Sequence, residues 1–254
     1  MWRSSRSGFL GSGALVAGFA LSPAADAQEW RWSVTPYVWF AGVEQKAAVN
    51  SSLPTVGIDQ DFGDIVDVAQ FVLMGEFEAS NGRLHFIGEL SYADIGSAAV
   101  IESPNFPNLT AASFGAETFL GTGAVGYRFV DAINYWIDGI AGIRYTWTKT
   151  DVSFNLAGGG VLSGGEDENW LDGFVGARAA VKLDSRWSLL GYGDVGAGGS
   201  EYTWQAYLGA DYELNPNTHL FGGYRAYKDE YENDDGYLYS ILQQGPIIGA
   251  TFWF

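Results

Sequence analysis

The stretch Tyr135-Trp136-Ile137-Asp138-Gly139-Ile140-Ala141-Gly142-Ile143-Arg144-Tyr145-Thr146-Trp147-Thr148-Lys149-Thr150 decides the fold. Ile137, Gly139, Ala141, Ile143, Tyr145 and Trp147 share one parity. Asp138, Gly142, Arg144, Thr146 and Thr148 share the other, which gives the two-residue period of a β-strand. A soluble sheet and a membrane barrel both alternate in this way, so periodicity alone does not choose between them. Charge does. Glu76, Glu78, Glu89, Arg144, Arg178, Asp194 and Arg225 all sit in mid-strand. In a soluble core each would cost several kcal/mol unless paired. In a transmembrane barrel the same face lines a hydrated or ion-paired lumen, and the greasy face meets lipid.

Working outward, rings gather near strand ends, where a membrane interface favours an apolar body with a polar edge. Trp32, Trp39, Trp136, Trp147, Trp187 and Trp253 are therefore expected to form the interfacial girdles. Tight connections at Asn81-Gly82, Asp131 to Asn134, Asp184-Ser185 and Asn215-Pro216-Asn217 alternate with longer segments rich in Gly, Asn, Asp and Ser. This is the asymmetry of short periplasmic turns and longer outer loops. About ten strands follow, near 30–43, 69–79, 84–96, 115–130, 135–151, 169–183, 186–197, 202–214, 219–229 and 238–254. A count of eight stays open if the first or fourth segment is misread. The expected fold is thus all-β, a single up-and-down antiparallel barrel over residues 28–254.

Residues 1–27 read as a signal peptide: Arg3 and Arg6, an apolar run from Phe9 to Leu21, then Ala25-Asp26-Ala27 as a small-x-small cleavage pattern. That run is too short and too glycine-rich to span a bilayer as a helix. The chain has 13 basic and 30 acidic residues, a net charge of −17. Such an excess argues against nucleic acid as a partner, because phosphate binding needs a basic stripe. There is no cysteine, while 35 glycines and 16% aromatic residues fit many curved strands.

Parity places Glu76, Glu78, Glu89, Asp138, Asp172, Asp194 and Asp211 in the lumen with Arg31, Arg128, Arg144, Arg178 and Arg225. Mixed signs in a narrow, low-dielectric interior favour ion pairs. Eight strands are filled by their own side chains and sixteen leave a channel, so ten sit near the closed end. A plugged charged lumen is expected, with a slim channel for small polar solutes as the alternative.

Other motifs carry little. Gly121-Thr122-Gly123-Ala124-Val125-Gly126 matches a dinucleotide fingerprint as a string, but Tyr127-Arg128-Phe129 continues a strand where a helix is required. No cofactor is expected. His85 shares lumen parity with Glu89 and Ser91. Steps of roughly 6.6 Å per residue pair along one strand nevertheless keep His85 and Ser91 from forming a relay. No catalytic residue is assigned, and a rim hydrolase remains the remote alternative. Asp59, Asp61, Asp64 and Asp67, and again Asp229, Glu230, Glu232, Asp234 and Asp235, form acidic clusters assigned to outer loops. Asp59, Asp61 and Asp64 are weak metal candidates, since hard cations take carboxylate oxygens but neither cluster has a complete Ca²⁺-loop spacing.

Several segments resemble an uncharacterised proteobacterial family of small, porin-like outer-membrane barrels: Thr35-Pro36-Tyr37-Val38-Trp39-Phe40-Ala41-Gly42, Gly193-Asp194-Val195-Gly196, Thr203-Trp204-Gln205, Gly223-Tyr224-Arg225 and the closing Phe252-Trp253-Phe254. The resemblance implies a bacterial outer-membrane location and a barrel fold, and no ligand. The last strand is similar to the outer-membrane assembly signal, with Phe252 and Phe254 on the lipid-facing parity. It implies contact with the barrel assembly machinery. Lipid bilayer and lipopolysaccharide are the remaining expected partners.

Overall fold

The computed structural model describes residues 29–48, 56–60, 63, 69–99, 109–234 and 236–254. The expected signal peptide lies outside these residues, as do Asp61, Asp64, Asp67 and Asp235; Asp59 is described only in its backbone. Twelve strands follow in chain order: β1 Arg31–Trp39, β2 Gly42–Ala48, β3 Val56–Gln60, β4 Ala69–Ser80, β5 Leu84–Ala99, β6 Leu109–Asp131, β7 Tyr135–Leu156, β8 Val161–Lys182, β9 Trp187–Gly198, β10 Tyr202–Asn215, β11 Thr218–Glu232 and β12 Leu238–Trp253.

From β4 to β12 each strand pairs antiparallel with the next, and β12 returns to β1, which also pairs with β4. The ladder therefore closes. β1 and β2 are one barrel strand in two assigned pieces. β12 pairs with β1 through Ile247 to Trp253 and with β2 through Leu238 to Gln244, in one uninterrupted register. The Phe40 amide donates across the break to the Pro246 carbonyl at 2.8 Å. Counted this way the wall has ten strands, the number anticipated, and the eight-strand alternative falls. β3 is the addition: it pairs with β2 where β4 has left the other edge of that strand. Closure pairs the strands of the wall through their backbones, the condition for spanning a bilayer without helices; between β1 and β4 the ladder runs from Arg31–Ser80 to Pro36–Gly75.

The alternation of faces is equally clear. On β1, Trp32, Val34 and Val38 point out and Ser33, Thr35, Tyr37 and Trp39 point in. Ile143 is 55% and Leu208 is 69% exposed, while Arg144 is 1% exposed. The outer face thus carries the greasy residues and the interior the charged ones, the reverse of a soluble barrel. From Tyr135 to Trp147 on β7, about twelve steps at roughly 3.3 Å, tilted by roughly 40°, rise about 30 Å, enough to cross the apolar band. Just beyond, Lys149 pairs with Glu117 at 3.3 Å on the exposed outer face.

Two departures concern the far end. Parts of the segments 97–114, before β6, and 152–168, between β7 and β8, expected as loops, are strand: β6, β7 and β8 run 23, 22 and 22 residues, with the β7–β8 reversal compressed to residues 157–160. The β9–β10 connection is also short, residues 199–201. Sheet pairing continues above the lipid because each strand still has a neighbour, and Val152 and Phe154 find burial there.

At the turn end the start of β1, the end of β12 and four short reversals meet; Trp32 and Phe254 exchange backbone hydrogen bonds of 2.9 and 3.0 Å. Side chains specify these turns. Asn81 Oδ1 accepts from the Arg83 and Leu84 amides, and Gly82 takes φ +83°, a conformation costly for other residues. Asp184 Oδ1 accepts from the Arg186 and Trp187 amides at 2.7 and 2.9 Å. These donors hold the Asp184 carboxyl below the usual aspartate range. Its stabilising effect is therefore present above the ordinary aspartate pKa of about 3.9 and is lost as pH falls through the depressed value. An NMR titration of refolded barrel should give Asp184 a midpoint below that ordinary value; a midpoint at or above it rules the cap out.

Interior glycines let large side chains cross the lumen. A Cβ on Gly142 would lie 2.4 Å from the Gly123 carbonyl and 2.7 Å from the Phe174 ring. Gly88, on the outer face, has nothing within 4 Å. Gly142→Val should abolish the heat-modifiable gel shift of the folded barrel and Gly88→Val should keep it; equal behaviour of the two variants would show that interior close packing is not what requires Gly142.

Candidate functional site in the barrel lumen

The interior is organised by its arginines. Nearest the turn end, Arg178 from β8 makes a bidentate pair with Glu78 of β4, both bonds 2.8 Å, and reaches Asp138 of β7 through Nε at 3.0 Å. Arg128 of β6 takes the other Asp138 oxygen at 2.8 Å. Both guanidiniums lie over the Trp136 ring, at 4.4 and 5.6 Å from its centroid. His85 closes the cluster, with Nδ1 2.7 Å from Glu78 and Nε2 3.5 Å from Asp138. At mid-height Arg225 of β11 donates to Glu89 at 2.6 Å, to Gln205 at 2.7 Å and to the Tyr37 hydroxyl at 3.0 Å, with its guanidinium over Trp39. The Tyr37 hydroxyl also donates to Glu89.

Above this, Arg144 of β7 donates to Asp194 at 2.8 Å and to Thr203 at 3.0 Å, packed over the rings of Phe174 and Tyr227. Asp229 then accepts from Tyr227 at 2.8 Å, Trp170 at 3.3 Å and Thr146 at 3.4 Å. Asp172 accepts from the Ser200 amide at 2.9 Å. Trp170 stacks flat on Tyr231 with centroids 4.3 Å apart, and Tyr37, Trp39, Tyr227, Tyr237, Tyr239 and Ile241 join one buried cluster. Thr148, Thr150, Asp138, Asp172 and Asp229 are wholly buried.

This layer divides the lumen. On the turn side lies a cavity of about 490 Å³ reaching from Ser33, Ser80 and Trp253 at the rim to Gln205 and Arg225. On the far side is a smaller one of about 70 Å³, between Met74, Ile95, Leu120, Tyr239 and Ile241. Arg225 borders both.

Of the residues that parity assigned to the lumen, Glu78, Asp138 and Arg178 come together, as do Glu89 with Arg225 and Arg144 with Asp194. Asp172 lies one layer higher. Asp211 pairs with His219 near the rim at 2.9 Å. Glu76 lines the large cavity with no direct partner among the described residues. Arg31 has lumen parity but stands exposed at the turn end, over Trp253 and against the Pro216 carbonyl.

Three expected girdle residues are corrected. Trp39, Trp136 and Trp253 point inward, where each ring lies within 5.1 Å of a guanidinium carbon, and the Trp39 indole donates to the Gly245 carbonyl at 3.2 Å. Trp32, Trp147 and Trp187 keep the outer face. The rings around the turn end are Trp30 stacked on Phe86, Trp32 tilted against Phe77, Trp187 tilted against Tyr212, and Tyr127 edge-on to Phe129. Phe252 and Phe254 also face outward. A second correction concerns Asp229, expected in the last acidic outer loop: it is buried in the lumen under Trp170. Its parity with Arg225, four residues earlier on β11, was the available signal. Glu230 stays outside, bonded by Tyr202 at 2.9 Å. Among the described residues no group of three His, Asp or Glu side chains is arranged to hold a metal ion.

A closed ten-strand antiparallel wall with a greasy exterior and a charged interior is the fold class of bacterial outer-membrane β-barrels. Two solved structures share it. The outer-membrane protease OmpT of Escherichia coli aligns over 91% of this chain and 99% of its own, with a TM-score of 0.54 and 9% identity. The translocator domain of the autotransporter NalP from Neisseria meningitidis aligns over 91% and 90%, with a TM-score of 0.52 and 14% identity. At these identities the likeness is one of fold. No protein-family model matches the chain, and no curated protein matches its sequence.

Removing one partner from a buried ion pair typically costs 3–5 kcal/mol, because the other charge is stranded. Arg144→Ala should therefore destabilise the refolded barrel by about 3–5 kcal/mol in urea titrations. Arg144→Met combined with Asp194→Leu should recover most of that loss; a double variant no better than the single would show that the pair is not a unit.

Proposed function

We propose that this protein is an integral outer-membrane barrel that does not conduct and does not catalyse, its lumen serving as a rigid charged core. The supporting observation is the layer formed by Arg144, Thr146, Asp172, Trp170 and Asp229, every one of them 4% exposed or less. Hydrogen bonds fix these groups across the barrel, with the cavity of about 490 Å³ on the turn side and the one of about 70 Å³ on the other. The leader at residues 1–27 would direct export, and the shared end of termini and short turns would face the periplasm. Phe252 and Phe254, exposed on the outer face of β12, would be read by the assembly machinery. The tall β6–β8 wall would pass the lipid headgroups into the lipopolysaccharide layer. The segments around Tyr37, Asp194, Gln205 and Arg225 that carry the porin-like resemblance are all lumen-lining, which favours kinship through the core.

The geometry of His85 supports the non-enzymatic part. Both ring nitrogens face carboxylates that Arg128 and Arg178 already hold, so the ring is committed to the wall and not poised against a hydroxyl. Planar-bilayer recording on the refolded full barrel tests the closed lumen. Silence at both polarities is expected from the native chain, and discrete openings should follow when Trp170→Ala and Tyr227→Ala are combined. Stable unitary steps from the native protein would establish the slim channel instead.

A further inference from the structure

The large cavity has the make-up of a ligand site and not only of a packing defect. At about 490 Å³ it falls in the usual range of small-molecule pockets, roughly 300–1,000 Å³. It opens toward the turn end, where a second hollow of about 240 Å³ shares Trp136, Ser188, Asp211 and His219 with it. Its walls mix rings with a few fixed charges, and those charges are unevenly satisfied. Arg178 is neutralised by Glu78 and Asp138, Arg128 by Asp138, and Arg225 by Glu89. Asp211 is held by His219. Glu76 is left over. It lies across the strands from Thr35 and from Glu89, in the wall of the cavity, with no hydrogen bond or ion pair among the described residues. The Tyr207 hydroxyl, in the same wall, is buried and also without a partner.

A carboxylate withdrawn from bulk water without a hydrogen-bonded counter-charge is costly, and a cation placed against it relieves that cost. The surrounding rings suit the same ligand. Trp136 and Tyr37 already carry guanidinium groups on their faces, and Tyr192, Phe221 and Trp253 complete an apolar lining. Cations over such faces are attracted by the ring quadrupole. The wall thus offers one carboxyl group without a hydrogen bond or ion pair among the described residues, guanidinium groups each already paired with a carboxylate, an unpartnered hydroxyl and several rings.

We propose that this cavity binds a small amphipathic organic amine, with Glu76 as counter-ion to the ammonium and the rings of Trp136, Tyr192 and Phe221 around its apolar body. The access side rests on the orientation given under the proposed function; the binding itself does not. An anionic ligand is disfavoured, because every wall guanidinium is already matched by a carboxylate.

The test is isothermal titration calorimetry on the full barrel refolded in a non-ionic detergent, with three probes of one shape: phenethylamine, phenethyl alcohol and phenylacetate. Phenethylamine should bind at least ten-fold more tightly than the alcohol, and phenylacetate should give no heat above dilution. Glu76→Gln, shown to be folded by its heat-modifiable gel shift, should bring the amine down to the level of the alcohol. Equal binding of amine and alcohol to the native barrel, absence of binding by all three, preference for phenylacetate, or an amine preference that survives Glu76→Gln would each overturn the proposal. The native probe series decides even if the variant does not fold. A conducting barrel that still prefers the amine would refute only the closed lumen, and a silent barrel without that preference would refute only the amine site.

Discussion

The constraint on which everything else rests is that a narrow barrel has no room to hydrate the charges it points inward. Once the ladder closes on itself at β12 and β1, alternate residues of every strand must enter a space a few side chains wide. Whatever is polar there has to be matched by something from the opposite wall. Three of the four interior arginines meet this demand by bridging strands far apart in sequence, Arg178 to Glu78, Arg225 to Glu89 and Arg144 to Asp194, while Arg128 takes Asp138 on the adjacent strand. These bridges brace the wall across its diameter, while the backbone ladder fixes it around its circumference. Glycine at Gly142 and bulk at Phe174 are two halves of the same accommodation: where one strand gives up its side chain, its neighbour's ring reaches the middle.

The braces also determine which part of the lumen is solid and which is hollow. The rings cluster at Trp39, Trp170, Tyr227 and Tyr239, and burial is complete there. Toward the turn end the paired charges keep to the wall, as Arg178 and Arg128 do on Trp136, and the centre is left open. A core that excludes water at one level and admits it at another is how one small barrel can combine stability with a cavity.

Much of this was legible in the chain. Parity together with the tight turns located ten strands to within a few residues at most ends, because apolar side chains on one face and charged ones on the other make the alternation unusually sharp. The same parity brings Glu78, Asp138 and Arg178 to one face before any coordinates are known. What misled was reading rings by their position along a strand instead of by their face. Trp39 lies near a strand end, yet it shares a side with Tyr37. Trp136 shares one with Asp138, and Trp253 is the inward neighbour of the outward Phe252. Asp229 was grouped with Glu230 and Glu232 by local charge, although it alternates with Glu230 and belongs with Arg225. Two features had no local signal. The continuation of β6, β7 and β8 past the membrane depends on neighbour pairing, which Gly- and Ser-rich composition conceals. That Glu76 makes no ion pair among the described residues depends on which arginines the other carboxylates capture, a matter of three-dimensional competition.

The height of the β6–β8 wall has its own consequence. A sheet that keeps its register to a four-residue tip at 157–160 has already surrendered its conformational freedom before anything touches it. In the orientation proposed above, whatever meets this molecule from outside encounters a paired ribbon standing beyond the apolar band, its side chains spaced by the pleat in rows. Recognition by such a surface requires little ordering on contact, so it resembles a template more than a tether.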